Sequence, residues 1–310
     1  IKKNINSLKH LIKTILSKFN FYKIYQGYKH IKFLIYYLKN KKKINFYTSS
    51  YDPKIILPKT IHVETRTLCS GKCTFCAANI FNTSRSDDLM HMELVDKLIS
   101  ELSDLNYKGR LSFYNNNEPF LDKRILSIIG KAREKVSNCF LELKSNGKSL
   151  KIETVDNIFK LGLDHLYVND YLQEEDYKNK KFSKNVQILF DNVNNNYTHL
   201  KKKISFNHRL EDQILRSRAG TSPNQDSENL SYRWRCFRPF EMMTLSPSGN
   251  VAMCSDDVYY DEVMGNFKEN KLIDIWTSEK YKKNRELLIN KKRNLISTCK
   301  KCDYVGFTLN

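Results

Sequence analysis

The run Cys69-Ser-Gly-Lys-Cys73-Thr-Phe-Cys76 constrains this chain more than any other stretch. It puts three thiols on one short loop, directly after a strand-like stretch, Ile61-His-Val-Glu64. Zinc loops usually carry paired C-x2-C units, and a C-x3-C-x2-C triplet does not fit that spacing. Three thiolates suit three irons of a cubane iron–sulfur cluster, with the fourth iron left open for a chelating ligand. In a chain of 310 residues without a signal-like segment, such a loop points to metal or cluster binding rather than disulfides.

Around this loop, strand-like and helix-like segments alternate. Leu94, Val95, Leu98, Ile99, Leu102 and Leu105 recur at helical spacing, as do Ile125, Leu126, Ile128, Ile129 and Val136. A further helix carries Ile152, Val155, Ile158 and Phe159 and ends at Gly162. Strands are expected at 61–64, 110–114, 140–143, 165–168, 186–190 and 203–206. Six strands with crossover helices predict an α/β domain with a parallel sheet, read as a partial (β/α)6 barrel over 57–222. Chemistry in such a domain belongs at the C-terminal strand ends, where the cysteine loop falls. Gly220-Thr-Ser-Pro-Asn-Gln-Asp226 reads as a linker.

A small cysteine domain is expected over 223–310. Its donors are Cys236, Cys254, Cys299 and Cys302, with Gly249 and Cys254 spaced to suit a hairpin that presents a cysteine. Four cysteines ending in C-x2-C suit either a zinc ribbon or an iron–sulfur cluster. The eighth cysteine, Cys139, opens the third strand and reads as a buried structural residue.

Residues 1–56 are expected to form a basic arm of two amphipathic helices. Leu11, Ile12, Ile15 and Leu16 mark one, and Ile31, Leu34, Ile35 and Leu38 the other. The first 51 residues hold twelve lysines and no acidic residue, which is most of the net charge of +19. Lysines interrupt the apolar runs too often for a membrane span. The arm suits contact with an anionic membrane surface or packing on a partner. It contains no arginine, which argues against base-reading nucleic-acid binding. The chain begins on Ile1 rather than methionine, so upstream residues are expected to be missing. A reducing cytoplasmic setting is expected, with membrane association through the arm as an alternative to packing of its helices on the barrel or a partner.

Further motifs follow the first cysteines in order. Asn116-Asn117-Glu118-Pro119 ends strand two, Ser145-Asn146-Gly147 ends strand three, and Arg216-Ser-Arg218-Ala-Gly220 follows the last strand. With Phe75 before the last cysteine of the loop, this series resembles the radical S-adenosylmethionine superfamily. The later cysteines resemble its SPASM and twitch auxiliary-cluster domains, in the shorter one-cluster form. The pattern is most similar to that of the superfamily's aminocyclitol dehydrogenases.

The resemblance implies a [4Fe–4S] cluster on Cys69, Cys73 and Cys76. It implies S-adenosyl-L-methionine held by Phe75, Asn116, Asn117, Glu118, Ser145 and Asn146, and an auxiliary [4Fe–4S] cluster on Cys236, Cys254, Cys299 and Cys302. Asn116 and Asn117 depart from the family's Gly-Gly, and Ser70 from its usual asparagine. The implied reaction is radical hydrogen abstraction and oxidation of a secondary alcohol, with Arg218 orienting the substrate or holding the cofactor carboxylate. A sugar epimerase and a peptide-modifying enzyme are the alternatives within the superfamily. A nucleic-acid-binding module with structural metal sites is the alternative outside it. The implied partners are a hydroxyl-rich small molecule and a flavodoxin- or ferredoxin-type reductant. The polar strand ends Asn169, Asp170, Asn207 and His208 suit such a substrate.

Overall fold

The first five strands of the sheet are β1 (Thr60–Val63), β2 (Arg110–Ser112), β3 (Phe140–Ser145), β4 (His165–Leu172) and β5 (Ile204–Leu210). All neighbouring pairs among them are parallel, in the order 5-4-3-2-1. Along β4, buried and half-buried residues alternate. In the computed structural model, residues 41–80, 86–214, 216–224 and 235–304 are described, with Ile31, Ile35, Tyr37 and Leu38 of the arm. The chain divides into two compact units, Ile1–Tyr51 and Asp52–Asn310. Of the two arm helices expected from sequence, the first lies outside the described residues. The four described residues of the second are helical, and α1 (Lys41–Ser49) follows them.

The crossovers are α2 (Met92–Asp104), α3 (Ile125–Lys135), α4 (Ile152–Lys160) and α5 (Lys184–Asn195). Each touches the next: α2 meets α3, α3 meets α4, and α4 meets α5. A strand order that runs one way, joined by right-handed crossovers, puts every helix on the same face. That arrangement makes a partial barrel rather than a doubly wound sheet. The inner faces of α2 and α3 supply much of its core. Leu94, Val95, Leu98, Ile99 and Leu102 are buried, as are Ile128 and Ile129. Each fully buried aliphatic side chain of this kind contributes about 1.5–3 kcal/mol before entropy is counted.

The segment 186–190, expected as a strand, is part of α5. Its buried residues Val186, Leu189 and Val193 repeat at helical spacing. Four apolar residues among five fit both periods, and the helical face continues into the asparagine-rich residues that follow. The sixth parallel strand comes instead from beyond 223. Here β6 (Met242–Leu245) pairs in parallel with the free edge of β1, Ile61 opposite Met243. Two antiparallel strands, β7 (Asn250–Ala252) and β8 (Val263–Asn266), then extend the sheet to eight.

Two short helices, α6 (Leu272–Thr277) and α7 (Glu279–Ile289), pack beside this extension. Buried Arg285 holds them. It donates to the Trp276 and Pro239 carbonyls and lies 4.1 Å from the Trp276 ring centroid. The Trp276 Nε1 donates to the Ile56 carbonyl at 3.0 Å, just before β1. Thus the C-terminal cysteine segment is built onto the same sheet as the first loop.

Candidate active site

The C-terminal ends of β1, β2 and β3 converge on the first cysteine loop. Glu118 N donates to the Leu68 carbonyl at 2.8 Å, which holds the loop against the end of β2. Asn146 Nδ2 donates to Ser70 Oγ at 3.1 Å, which ties it to the turn after β3. Ser70, which departs from the family's asparagine, thus has a positioning role. Gly147 closes that turn at φ +77°, and a Cβ there would lie 2.7 Å from Val186 Cγ2 and 2.8 Å from Val168 Cγ1. Only glycine fits such a site. Within the loop, a Cβ on Gly71 would sit 3.5 and 3.6 Å from the sulfurs of Cys69 and Cys73. The backbone at Gly71 thus runs beside both donors. Phe75 is buried, with its ring 5.7 Å from that of Tyr171.

Glu118 is buried between β2 and β3. Its Oε1 accepts from Ser145 Oγ at 2.8 Å and its Oε2 from Asn146 N at 2.7 Å. Burial raises its pKa to about 7, and those hydrogen bonds only partly offset the shift. A buried carboxylate of this kind is suited to a cationic ligand group. The two asparagines that stand for the family's glycines hold each other's surroundings. Asn117 Oδ1 accepts from Asn115 N at 2.9 Å, and Asn116 N donates to Glu64 Oε1 at 2.6 Å. Glu64, at the end of β1, was not singled out from sequence. Its being fully buried, which only the fold reveals, is what marks it.

The second cysteine set surrounds an enclosed cavity whose wall includes Cys236, Cys254, Cys299, Cys302, Arg238 and Arg293. All eight cysteines are free thiols. Burial pushes the Cys73 and Cys302 thiols up to about 12 and Cys69 to about 11, and raises Cys254 and Cys299 as well. Thiols packed together away from water stay protonated unless a positive centre compensates them, so loading such sites releases protons. Two all-thiol sets, one of three and one of four, fit iron–sulfur clusters.

The stretch 216–222 joins the two sets; of the linker expected at 220–226, residues 225 and 226 lie outside the described residues, and Ser222 is buried. Ser217 N and Oγ donate to Asp303 Oδ1, next to Cys302, at 2.9 and 3.1 Å. Ser222 Oγ donates to the Phe75 carbonyl, next to Cys76, at 3.1 Å. Both serines are buried. Between them Arg218, Ala219 and Gly220 adopt left-handed backbone at φ +47°, +57° and +86°. Left-handed conformation at two non-glycine residues costs energy that the surrounding bonds must sustain. It turns the Arg218 guanidinium so that Nη2 donates to Asn116 Oδ1 and, at 3.2 Å, to the Ser255 carbonyl beside Cys254.

The face of β3–β5 away from the helices is polar. Lys144 Nζ lies 5.0 and 5.2 Å from the ring centroids of Tyr114 and Tyr167. Asn207 Nδ2 donates to Asn169 Oδ1 at 3.2 Å. Of the four polar strand-end residues expected there, only these two asparagines share that face. Asp170 points to the helix side, accepting from Ser183 N at 2.6 Å, and His208 stacks on Phe182 with centroids 3.8 Å apart. Strand alternation allows no other division. Cys139 is buried just before β3, at the opposite end of the strand from the site.

Residues 236–303 match the SPASM family, described as an iron–sulfur cluster-binding domain. With the partial barrel and the cysteine loop after β1, this arrangement is similar to that of radical S-adenosylmethionine enzymes with an auxiliary-cluster domain. The matched family binds an iron–sulfur cluster, and the relatives below are named for S-adenosyl-L-methionine or AdoMet. A curated relative, the S-adenosyl-L-methionine-dependent 2-deoxy-scyllo-inosamine dehydrogenase of Niallia circulans, is 26% identical over 249 residues. That alignment covers 79% of this chain and 93% of the relative. The crystal structure of BtrN in complex with AdoMet and 2-DOIA superposes with a TM-score of 0.68 at 25% identity, covering 80% of this chain and 94% of BtrN. The structure of anSMEcpe with bound AdoMet, 11% identical, shares the fold at a TM-score of 0.51 over 78% of this chain and 88% of its own.

Proposed function

We propose that the protein oxidises a secondary alcohol of a hydroxyl-rich small molecule, of the aminocyclitol or sugar class, to a ketone. When bound, S-adenosylmethionine at the first cluster supplies a 5′-deoxyadenosyl radical, and the auxiliary cluster supplies a sink for one electron. In the net change the substrate loses a carbon-bound hydrogen atom, its hydroxyl proton and one electron. The observation that carries this reading is the Arg218 bridge, which contacts Asn116 on one side and the neighbour of Cys254 on the other. A substrate held there lies between radical source and electron sink. Arg218 orients the hydroxyl, and Lys144, Asn169 and Asn207 line the polar face behind it. The name of the Niallia circulans relative supports the substrate class. An epimerase needs a thiol at the active end to return hydrogen, and Cys139 lies at the other end.

The test is an anaerobic incubation of the reconstituted protein with reductant, S-adenosylmethionine and a panel of aminocyclitols and sugars. A ketone formed in equal amount with 5′-deoxyadenosine supports the reading. A product of unchanged oxidation state that carries solvent deuterium refutes it.

Glu118, with the main chain around Asn116 and Asn117, holds the cofactor's ammonium group in this reading, while Ser145 and Asn146 fix the carboxylate. Phe75 and Tyr171 wall the cofactor site. Glu118 gains a proton as pH falls through about 7 and then loses the charge the ammonium needs. Cofactor affinity is therefore expected to rise from pH 6 to pH 8, with a limiting slope of about tenfold per unit on the acid side. Glu118→Gln should remove that slope and cost about 1.5–3 kcal/mol at pH 8. Equilibrium binding at three pH values checks both.

The arm gives a further expectation. Among the described residues no helix is long and apolar enough to cross a membrane. Ile31, Ile35 and Leu38 are exposed on one helical stripe, within a segment that carries twelve lysines and no acid. This suits peripheral contact with an anionic bilayer at about 1 kcal/mol per lysine near the surface. The intact protein should sediment with phosphatidylserine-containing vesicles at low salt and be released by high salt. Equal sedimentation with neutral vesicles would count against the arm's charge as the cause.

A further inference from the structure

Two buried guanidinium groups face the auxiliary cysteine set. Arg238 is 5% exposed and Arg293 2%. Arg238 lies two residues after Cys236, at the start of a short 3-10 turn, Arg238–Phe240. Its Nη1 donates to Cys254 Sγ at 3.1 Å and forms an ion pair with Asp256 Oδ2 at 2.7 Å. Its plane is fixed by the Tyr304 ring, whose centroid is 3.8 Å away. Arg293 donates to the carbonyls of Cys302 and Arg235 at 3.4 and 3.1 Å. Its Nε has no partner, and among the described residues no carboxylate pairs with it. Asp256 is shared, since Arg216 Nη1 also approaches it at 3.3 Å. Arg238 and Arg293 thus face these sulfurs directly, while Asp256 is shared between two arginines and Asp303, beside Cys302, accepts from Ser217.

Arginines do not lose their charge on burial, and a buried cation without a partner is costly. Here the compensation is the thiolate-ligated cluster itself. A one-electron reduction adds negative charge to it, and each nearby cation and N–H···S bond stabilises the reduced form more than the oxidised form.

We propose that Arg238, assisted by Arg293, raises the reduction potential of the auxiliary cluster so that it accepts an electron from the substrate, and that Asp256 limits the rise. Arg238 and Arg293 are positioning residues, since they act through the cluster and its ligands. The inference rests on the four-cysteine cluster assigned under the proposed function.

The test uses the full chain with Cys69, Cys73 and Cys76 changed to alanine, so that only the auxiliary set reports. Its midpoint is read by anaerobic redox titration with electron paramagnetic resonance, and iron per chain is measured for every variant. Arg238→Gln and Arg293→Gln should each lower the midpoint. At a fixed applied potential the reduced-to-oxidised ratio is expected to fall at least tenfold for Arg238→Gln, equivalent to about 59 mV for one electron. Arg238→Lys keeps the charge but loses the planar fork, and should shift less. Asp256→Asn should move the midpoint the other way. An unchanged midpoint in Arg238→Gln at full iron content, or a lower one in Asp256→Asn, overturns the proposal. If Arg238→Gln fails to retain iron, the opposed signs of Arg293→Gln and Asp256→Asn decide it. A parent protein that holds zinc in place of iron fails before any arginine is changed, and that overturns the auxiliary-cluster reading itself.

Discussion

Changing Cys69, Cys73 and Cys76 together to alanine is expected to lower iron from about eight to about four per chain. 5′-Deoxyadenosine formation should fall to the background without enzyme. The reason is the loop's construction. Three sulfurs sit on one short connection after β1, and the backbone at Gly71 runs beside two of them. Cys139, the cysteine that belongs to neither set, lies at the far end of β3 and cannot substitute. The auxiliary set is built on β6–β8 and α7, with its own hydrogen bonds, and should keep its iron. Iron and sulfide counts with a chromatographic assay for 5′-deoxyadenosine, using dithionite as reductant, check both halves. Retention of eight irons in the triple variant would refute the assignment of this loop. Loss of all iron would show instead that the two sites assemble together.

The second large effect separates radical generation from substrate oxidation. Replacing Cys299 and Cys302 by alanine should remove about four irons. Cofactor cleavage should persist, because Glu118, Ser145 and the first loop are bonded to one another without these cysteines. Ketone formation should fall by more than about 10²-fold, since an interaction used only after hydrogen abstraction is lost. The measurement is the ratio of ketone to 5′-deoxyadenosine over time. A ratio that stays near that of the unchanged protein would mean the electron leaves by another route, and the auxiliary cluster would then be structural. The contacts of Ser217 with Asp303 and of Ser222 with Phe75 predict some loosening of the first loop, so a modest drop in cleavage rate is expected as well.

Several expectations reached the structure unchanged because they are local. The strands at 61, 110, 140, 165 and 203 and the helices between them follow from short-range periodicity, and all are present. The segment 186–190 failed because four apolar residues among five fit both periods. Only packing of Val186, Leu189 and Val193 on one face decides for helix. The strand at 242–245 was missed because it pairs with a strand far away in sequence, at the free edge of β1. Composition also misled at 220–224, where small polar residues read as linker but are held by buried hydrogen bonds.

The sequence alone determined the chemistry of the donors. Thiol spacing is covalent, so the cysteine triplet and the later set of four carry their meaning in chain order. The Glu118 and Asn146 motifs likewise sit at strand ends that any parallel α/β sheet brings to one edge. Tertiary structure alone decided which charges face which sulfurs. Arg238 reaches Cys254, and Arg218 links Asn116 to Ser255, across separations of 16, 102 and 37 residues. Such contacts depend on β6 joining β1 and on three successive left-handed residues after β5. Neither leaves a periodic trace in the sequence, because both are fixed by burial and hydrogen bonding across the sheet rather than along the chain.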